Sequence, residues 1–115
     1  MKNMIIAISV DEDKVSEHFG RCEKYYLYEV QDRYILKKTE VKNPGHKPFF
    51  LPNFLADKGV NVLITGGMGH RAIETFKKLN IKLVTGVRGN AEKVINDYLY
   101  GRIKENVEPC EKHSE

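Results

Sequence analysis

The chain contains no tryptophan, four prolines and two cysteines among 115 residues. Two cysteines as distant as Cys22 and Cys110 do not form the disulfide framework of a small secreted domain. Nor does any apolar run approach the roughly 18–20 residues that a membrane span needs. The opening apolar stretch, Met4 to Val10, is too short for a typical signal peptide, and no small-residue cleavage site follows it. Excess charge of one sign is also missing. Nineteen Lys and Arg face sixteen Asp and Glu, mixed along the sequence, with Lys37-Lys38 and Lys77-Lys78 as the basic pairs. That pattern describes a solvated surface and argues against a nucleic-acid partner. What is present, 41% hydrophobic and 30% charged residues, suffices for one packed domain. A soluble, cytoplasmic protein with no membrane partner is expected.

Met4-Ile5-Ile6-Ala7-Ile8-Ser9-Val10 suits a central strand covered on both faces, stopped by Asp11-Glu12-Asp13. Lys24 to Val30 and Arg33 to Val41 are rich in aromatic and β-branched residues and read as a β-hairpin around Gln31-Asp32. Asn43 to Pro48 is a loop, because its prolines remove backbone donors. A short helix is predicted over Phe50 to Lys58, followed by strand–helix alternation. The strands are Val60 to Thr65 and Ile81 to Thr85; the helices are Arg71 to Leu79 and Asn90 to Tyr100. This order predicts an α/β fold, a mixed five-stranded sheet with the first strand central, an antiparallel hairpin, and helices on both faces. The domain occupies residues 1–101, closed by a helix stop at Gly101, and 102–115 form a polar, mobile tail.

Soft-metal ligands are few: His18 and Cys22 beyond the central strand, His46 in the Pro/Gly loop, His70 after a glycine turn, and Cys110 and His113 in the tail. In an open α/β sheet, ligands gather where loops leave the carboxyl ends of strands, and three such loops here carry His18, Gly66–His70 and Gly86–Asn90. Thiolate and imidazole favour zinc, copper(I) or iron in sulfur clusters over magnesium or calcium. Spacing alone leaves the His18–Cys22 pair open between ligation and packing. Gly66, Gly67 and Gly69, with Arg71 behind them, sit where a helix start offers N–H donors to an anion. Tight-turn geometry explains the same glycines equally well. No Walker or dinucleotide fingerprint occurs. Asp11, Asp13, Glu17 and Glu29 raise a divalent-metal phosphoester hydrolase, although convincing partner carboxylates on neighbouring strands are missing.

At these residues the sequence resembles the dinitrogenase iron–molybdenum cofactor biosynthesis family, the NifX/NafY-like domain, as a small stand-alone member. The matching features are the strand ending at Asp11, Val15-Ser16-Glu17-His18-Phe19-Gly20-Arg21-Cys22, and Asn43-Pro44 with His46 nearby. Leu63-Ile64-Thr65-Gly66-Gly67-Met68-Gly69 followed by Arg71-Ala72 completes them, within residues 4–100. The resemblance implies a ribonuclease-H-like fold without nuclease activity. It also implies non-enzymatic binding or carriage of the iron–molybdenum cofactor, its iron–sulfur precursor or a related cluster, exchanged with donor and acceptor proteins. It makes His18 a cofactor ligand, with Cys22 at a motif position beside it. The expected site is therefore His18 and Cys22 as metal ligands, with Gly66, Gly67, Gly69 and Arg71 holding the cluster's anionic edge. A metal-free interaction module, its outer hairpin strand paired with a second copy as a homodimer, is the alternative.

Overall fold

A computed structural model of the chain describes residues 3–45 and 50–103. Strand β1 (Met4–Asp11) turns at Glu12-Asp13 into the two-residue β2 (Lys14–Val15), which pairs back on it with Val10 opposite Val15. A single 3-10 turn at Phe19–Arg21 leads into the hairpin β3 (Lys24–Gln31) and β4 (Tyr34–Lys42). Then follow α1 (Phe50–Asp57), β5 (Val62–Ile64), α2 (His70–Lys78), β6 (Lys82–Val84) and α3 (Ala91–Leu99). The sheet order is β4-β3-β1-β5-β6, with β2 attached to β1 alone. β1 runs antiparallel to β3 and parallel to β5, and β5 runs parallel to β6.

The sheet thus has six strands where five are predicted. The added strand, β2, is too short to carry a hydrophobic period, and its turn is made by Glu12 and Asp13, both at positive φ (49° and 66°). Tight hairpin turns of that shape usually announce themselves with Asn or Gly. The predicted two-residue connection at Gln31-Asp32 shifts by one. Gln31 pairs with Tyr34, and Asp32 and Arg33 form the turn, with Asp32 at φ 57°.

Strict alternation divides the central strands between two cores. Ile6, Ile8 and Val10 of β1, with Tyr26, Tyr28 and Val30 of β3, pack under Ala91, Val94 and Ile95 of α3. Ala7, Tyr25, Leu63 and Leu83 face the other way, beneath Leu51 and Leu55 of α1 and Ile73 and Phe76 of α2. Burial on both faces is why β1 reads as an unbroken apolar run. Local chemistry sets the helix ends. Asn90 accepts the N–H groups of Glu92 and Lys93 (2.9 and 3.3 Å) at the start of α3, and Gly101 at φ 76° ends it. Pro52 sits in the first turn of α1, where its missing N–H costs no helical bond. No helix among the described residues is long and apolar enough to cross a membrane.

Candidate functional site

The parallel strands β1, β5 and β6 end on one edge of the sheet, and the loops leaving them are bonded together there. The β1–β5 pairing stops at Ile8–Ile64. Beyond it, the chain after β2 becomes the new neighbour of β5. Gly66 N–H donates to the Ser16 carbonyl (3.0 Å), Gly67 N–H to Glu17 (2.6 Å), and Phe19 N–H to Gly67 (3.0 Å). The β6 exit joins the same knot: Gly86 N–H reaches the Gly66 carbonyl (2.6 Å), Val15 N–H the Gly89 carbonyl (2.9 Å), and Ala91 N–H the Asp13 carbonyl (2.8 Å). Underneath, the buried hydroxyls of Ser9 and Thr65 bond at 2.6 Å. The expected meeting of three loops is therefore present.

His18 is half-buried at this junction with extended backbone (φ −133°, ψ 119°). Two local devices set it. Ser16, itself buried, donates its hydroxyl to the His18 carbonyl (3.0 Å) and accepts the His18 N–H (3.3 Å). The next residue, Phe19, anchors the turn in the core, edge-on to Phe76 at 5.2 Å, while Tyr25 donates its hydroxyl to the Phe19 carbonyl (3.2 Å). His18 is left lining an open pocket of about 370 Å³ together with Asp11, Glu12, Lys14, Val15, Ser16, Glu17 and Arg21.

Cys22 lies elsewhere. It is 4% exposed, packs in the α1/α2-side core and does not line this pocket. Burial pushes its thiol up to about 11, against a weaker lowering by Tyr25, so the protonated form is favoured at neutral pH. Asn43 holds the same stretch from outside, donating its amide to the Cys22 and Gly20 carbonyls (2.8 and 3.3 Å). The glycines also have other work. The N–H groups of Gly66 and Gly67 are donated to the His18 loop and not to an open anion site. Gly69 is the buried N-cap of α2, and Arg71 is exposed on α2 outside the pocket lining. His46, Cys110 and His113 lie outside the described residues.

Of the four acidic candidates, Asp11 and Glu17 line the pocket and Asp13 and Glu29 do not. Asp11 accepts the Glu23 N–H (2.7 Å), Asp13 accepts the Tyr26 hydroxyl, and Glu29 sits at the opposite end of the sheet beside Asn3. Among the described residues no three of His, Cys, Asp and Glu are grouped to hold a metal ion. A closed structural metal needs about four protein donors; a large guest bound through one imidazole and held by its surroundings does not. Sequence reasoning gave no role to Lys14 or Arg21, the pocket's two cations, or to Ser16 and Asn43, which shape its loop. A serine two residues before a histidine is a local hydrogen-bonding signal that pointed to Ser16.

The sequence signature of the dinitrogenase iron–molybdenum cofactor family matches residues 2–101. The chain belongs to that family. Similar proteins include PH0822, whose crystal structure superposes with a TM-score of 0.83 at 35% identity, over 90% of this chain and 96% of that one. A NifB-like Thermotoga protein, TM1290, has a TM-score of 0.72 at 27% identity, over 89% and 92%. The uncharacterized protein MJ0580 of Methanocaldococcus jannaschii is 28% identical over 109 residues, covering 90% of this chain and 92% of its own.

Proposed function

We propose that the protein is a non-enzymatic carrier of an iron–molybdenum cofactor, its iron–sulfur precursor or a related cluster, received from one protein and passed to another. The observation that carries this reading is a half-buried imidazole on the rim of an open pocket, at the edge where three loops converge. Family membership supplies the class of cargo. His18 is the donor to iron; imidazole ligates iron readily, and a single protein bond leaves the cargo free to be handed on. Lys14 and Arg21 are the cations of a pocket that also carries the carboxylates of Asp11, Glu12 and Glu17, so its charge is mixed and the reading rests on the imidazole. Cys22 stays in the core as a packing thiol, and Gly66, Gly67 and Gly69 shape the loops without binding the cargo. The frame is read as ribonuclease-H-like, supported by two antiparallel strands on one side of β1 and two parallel strands on the other. A free thiol at Cys22 fits a reducing cytoplasm.

Anaerobic loading with isolated cofactor, or with iron and sulfide, followed by metal and sulfide analysis tests the reading. Wild type should retain cluster through desalting and His18→Ala should not; equal retention removes His18 from the site.

One observation favours a second reading, the metal-free interaction module. β4 is a nine-residue edge strand, exposed along almost its whole length, with Tyr34 and Leu36 uncovered. Such edges pair with other chains, although Lys37, Lys38 and Lys42 along it oppose self-pairing. A concentration-dependent dimer that forms equally in wild type and His18→Ala, without cluster, supports this reading over the first.

A further inference from the structure

We infer that Gly66 is the positioning residue for His18, acting through the side chain it lacks. The inference rests on the reading of His18 as the cargo's donor, and its own geometry is independent of any cargo. A Cβ built on Gly66 would stand 2.5 Å from the Ser16 carbonyl oxygen and 2.9 Å from the Glu17 Cα, distances real Cβ atoms do not adopt. Both are backbone atoms, so no side-chain rotation relieves the conflict. Gly66 has no need of glycine's positive-φ freedom, unlike Gly86 and Gly101 at φ 75° and 76°. The requirement at 66 is closeness alone.

That closeness has one structural consequence. It lets residues 16–19 dock against β5's continuation as a short parallel ladder, with His18 registered opposite Gly67. The bonds Gly66 N–H to Ser16, Gly67 N–H to Glu17 and Phe19 N–H to Gly67 bracket His18 on both sides. Below them Thr65 is fixed to Ser9 and above them Gly86 N–H is fixed to the Gly66 carbonyl, so Gly66 cannot retreat from an added methyl group. The movable partner is the His18 loop, where Glu17 is exposed and His18 half-buried between the anchors at Val15, at the Ser16 N–H bond to Ser9, and at Phe19 with the Tyr25 hydroxyl on its carbonyl. An alanine at 66 therefore pushes the loop off the ladder and displaces the imidazole, while the two cores stay packed.

Gly66→Ala tests this with two readouts. In metal-free protein, the His18 ring resonances and the amides of Gly67 and Phe19 should shift and lose hydrogen-exchange protection, with the Tyr26 and Tyr28 resonances unchanged. Cluster affinity should fall about 10- to 100-fold, as when residues that orient a metal ligand are altered. A folded Gly66→Ala that keeps the amide protection and binds like wild type overturns the inference. If the variant does not fold, wild-type exchange decides: protection of Gly67 and Phe19 equal to that within β5 supports the ladder, and solvent-like exchange overturns it. If His18→Ala binds cluster like wild type, the donor assignment fails while the amide readout still judges the positioning.

Discussion

Replacing Cys22 by alanine separates a core thiol from a ligand, because the two roles predict opposite patterns in stability and binding. The side chain is 4% exposed among Ala7, Phe19 and Tyr25. Deleting its sulfur removes roughly one to two methylenes' worth of packing and leaves a small cavity, a cost of about 1–2 kcal/mol at neutral pH. Alkaline pH reverses the comparison. Burial raises the folded thiol from 9.0 to about 11, so the unfolded chain ionises first and the folded state holds its proton longer. The associated stability, about 3 kcal/mol, is fully present below pH 9.0 and lost as pH rises towards 11. Urea unfolding of wild type and Cys22→Ala across this range should show wild type ahead at neutral pH and level or behind near pH 11. Tyr26 and Tyr28 titrate in both proteins and drop out of the difference, whereas Tyr25 is coupled to the thiol and its response belongs to the same comparison. Cluster retention by the variant should match wild type. A pH-independent difference, together with rapid alkylation of Cys22 in the folded protein, would refute the core assignment.

Tyr28→Phe removes the hydroxyl donated to Glu92 at 2.6 Å and should cost about 1 kcal/mol in urea unfolding. That hydroxyl, and then Lys38, hold the Glu92 carboxyl below the ordinary glutamate range. Its stabilisation is therefore present above that range and lost as pH falls through the depressed value. The acid-side loss should be shallower in Tyr28→Phe than in wild type; identical acid profiles would exclude the pairing. Asn43→Ala leaves the Gly20 and Cys22 carbonyls without their amide donor and should lower stability by about 1–3 kcal/mol. Asn43→Asp should not rescue it, since a carboxylate oxygen would face those two carbonyls.

The residues made much of the frame legible. β1 is apolar at consecutive positions because both of its faces are covered, and Tyr26 and Tyr28 alternate with Tyr25 because β3 is covered too. Gly101 and the helical spacing of Val94 and Ile95 marked α3 and its end. β2 left no trace, since two residues carry no period and its turn uses Glu and Asp at positive φ. The site was half legible. His18 could be placed at the exit of β1 by the rule for strand ends. Cys22 could not be separated from it, because the 3-10 turn at Phe19–Arg21 breaks the alternation that would have assigned it to the core. The glycine turn was located correctly, but its donors were invisible as loop-to-loop bonds. Their acceptors, Ser16 and Glu17, lie fifty residues away in the chain.

Pulsed electron paramagnetic resonance on cluster-loaded protein containing nitrogen-labelled histidine tests ligation at the atom concerned. A paramagnetic cluster should couple to one imidazole nitrogen in wild type, keep that coupling in His70→Ala, and lose it in His18→Ala. A coupling that survives removal of His18, or a loaded wild type that shows none, would contradict the account.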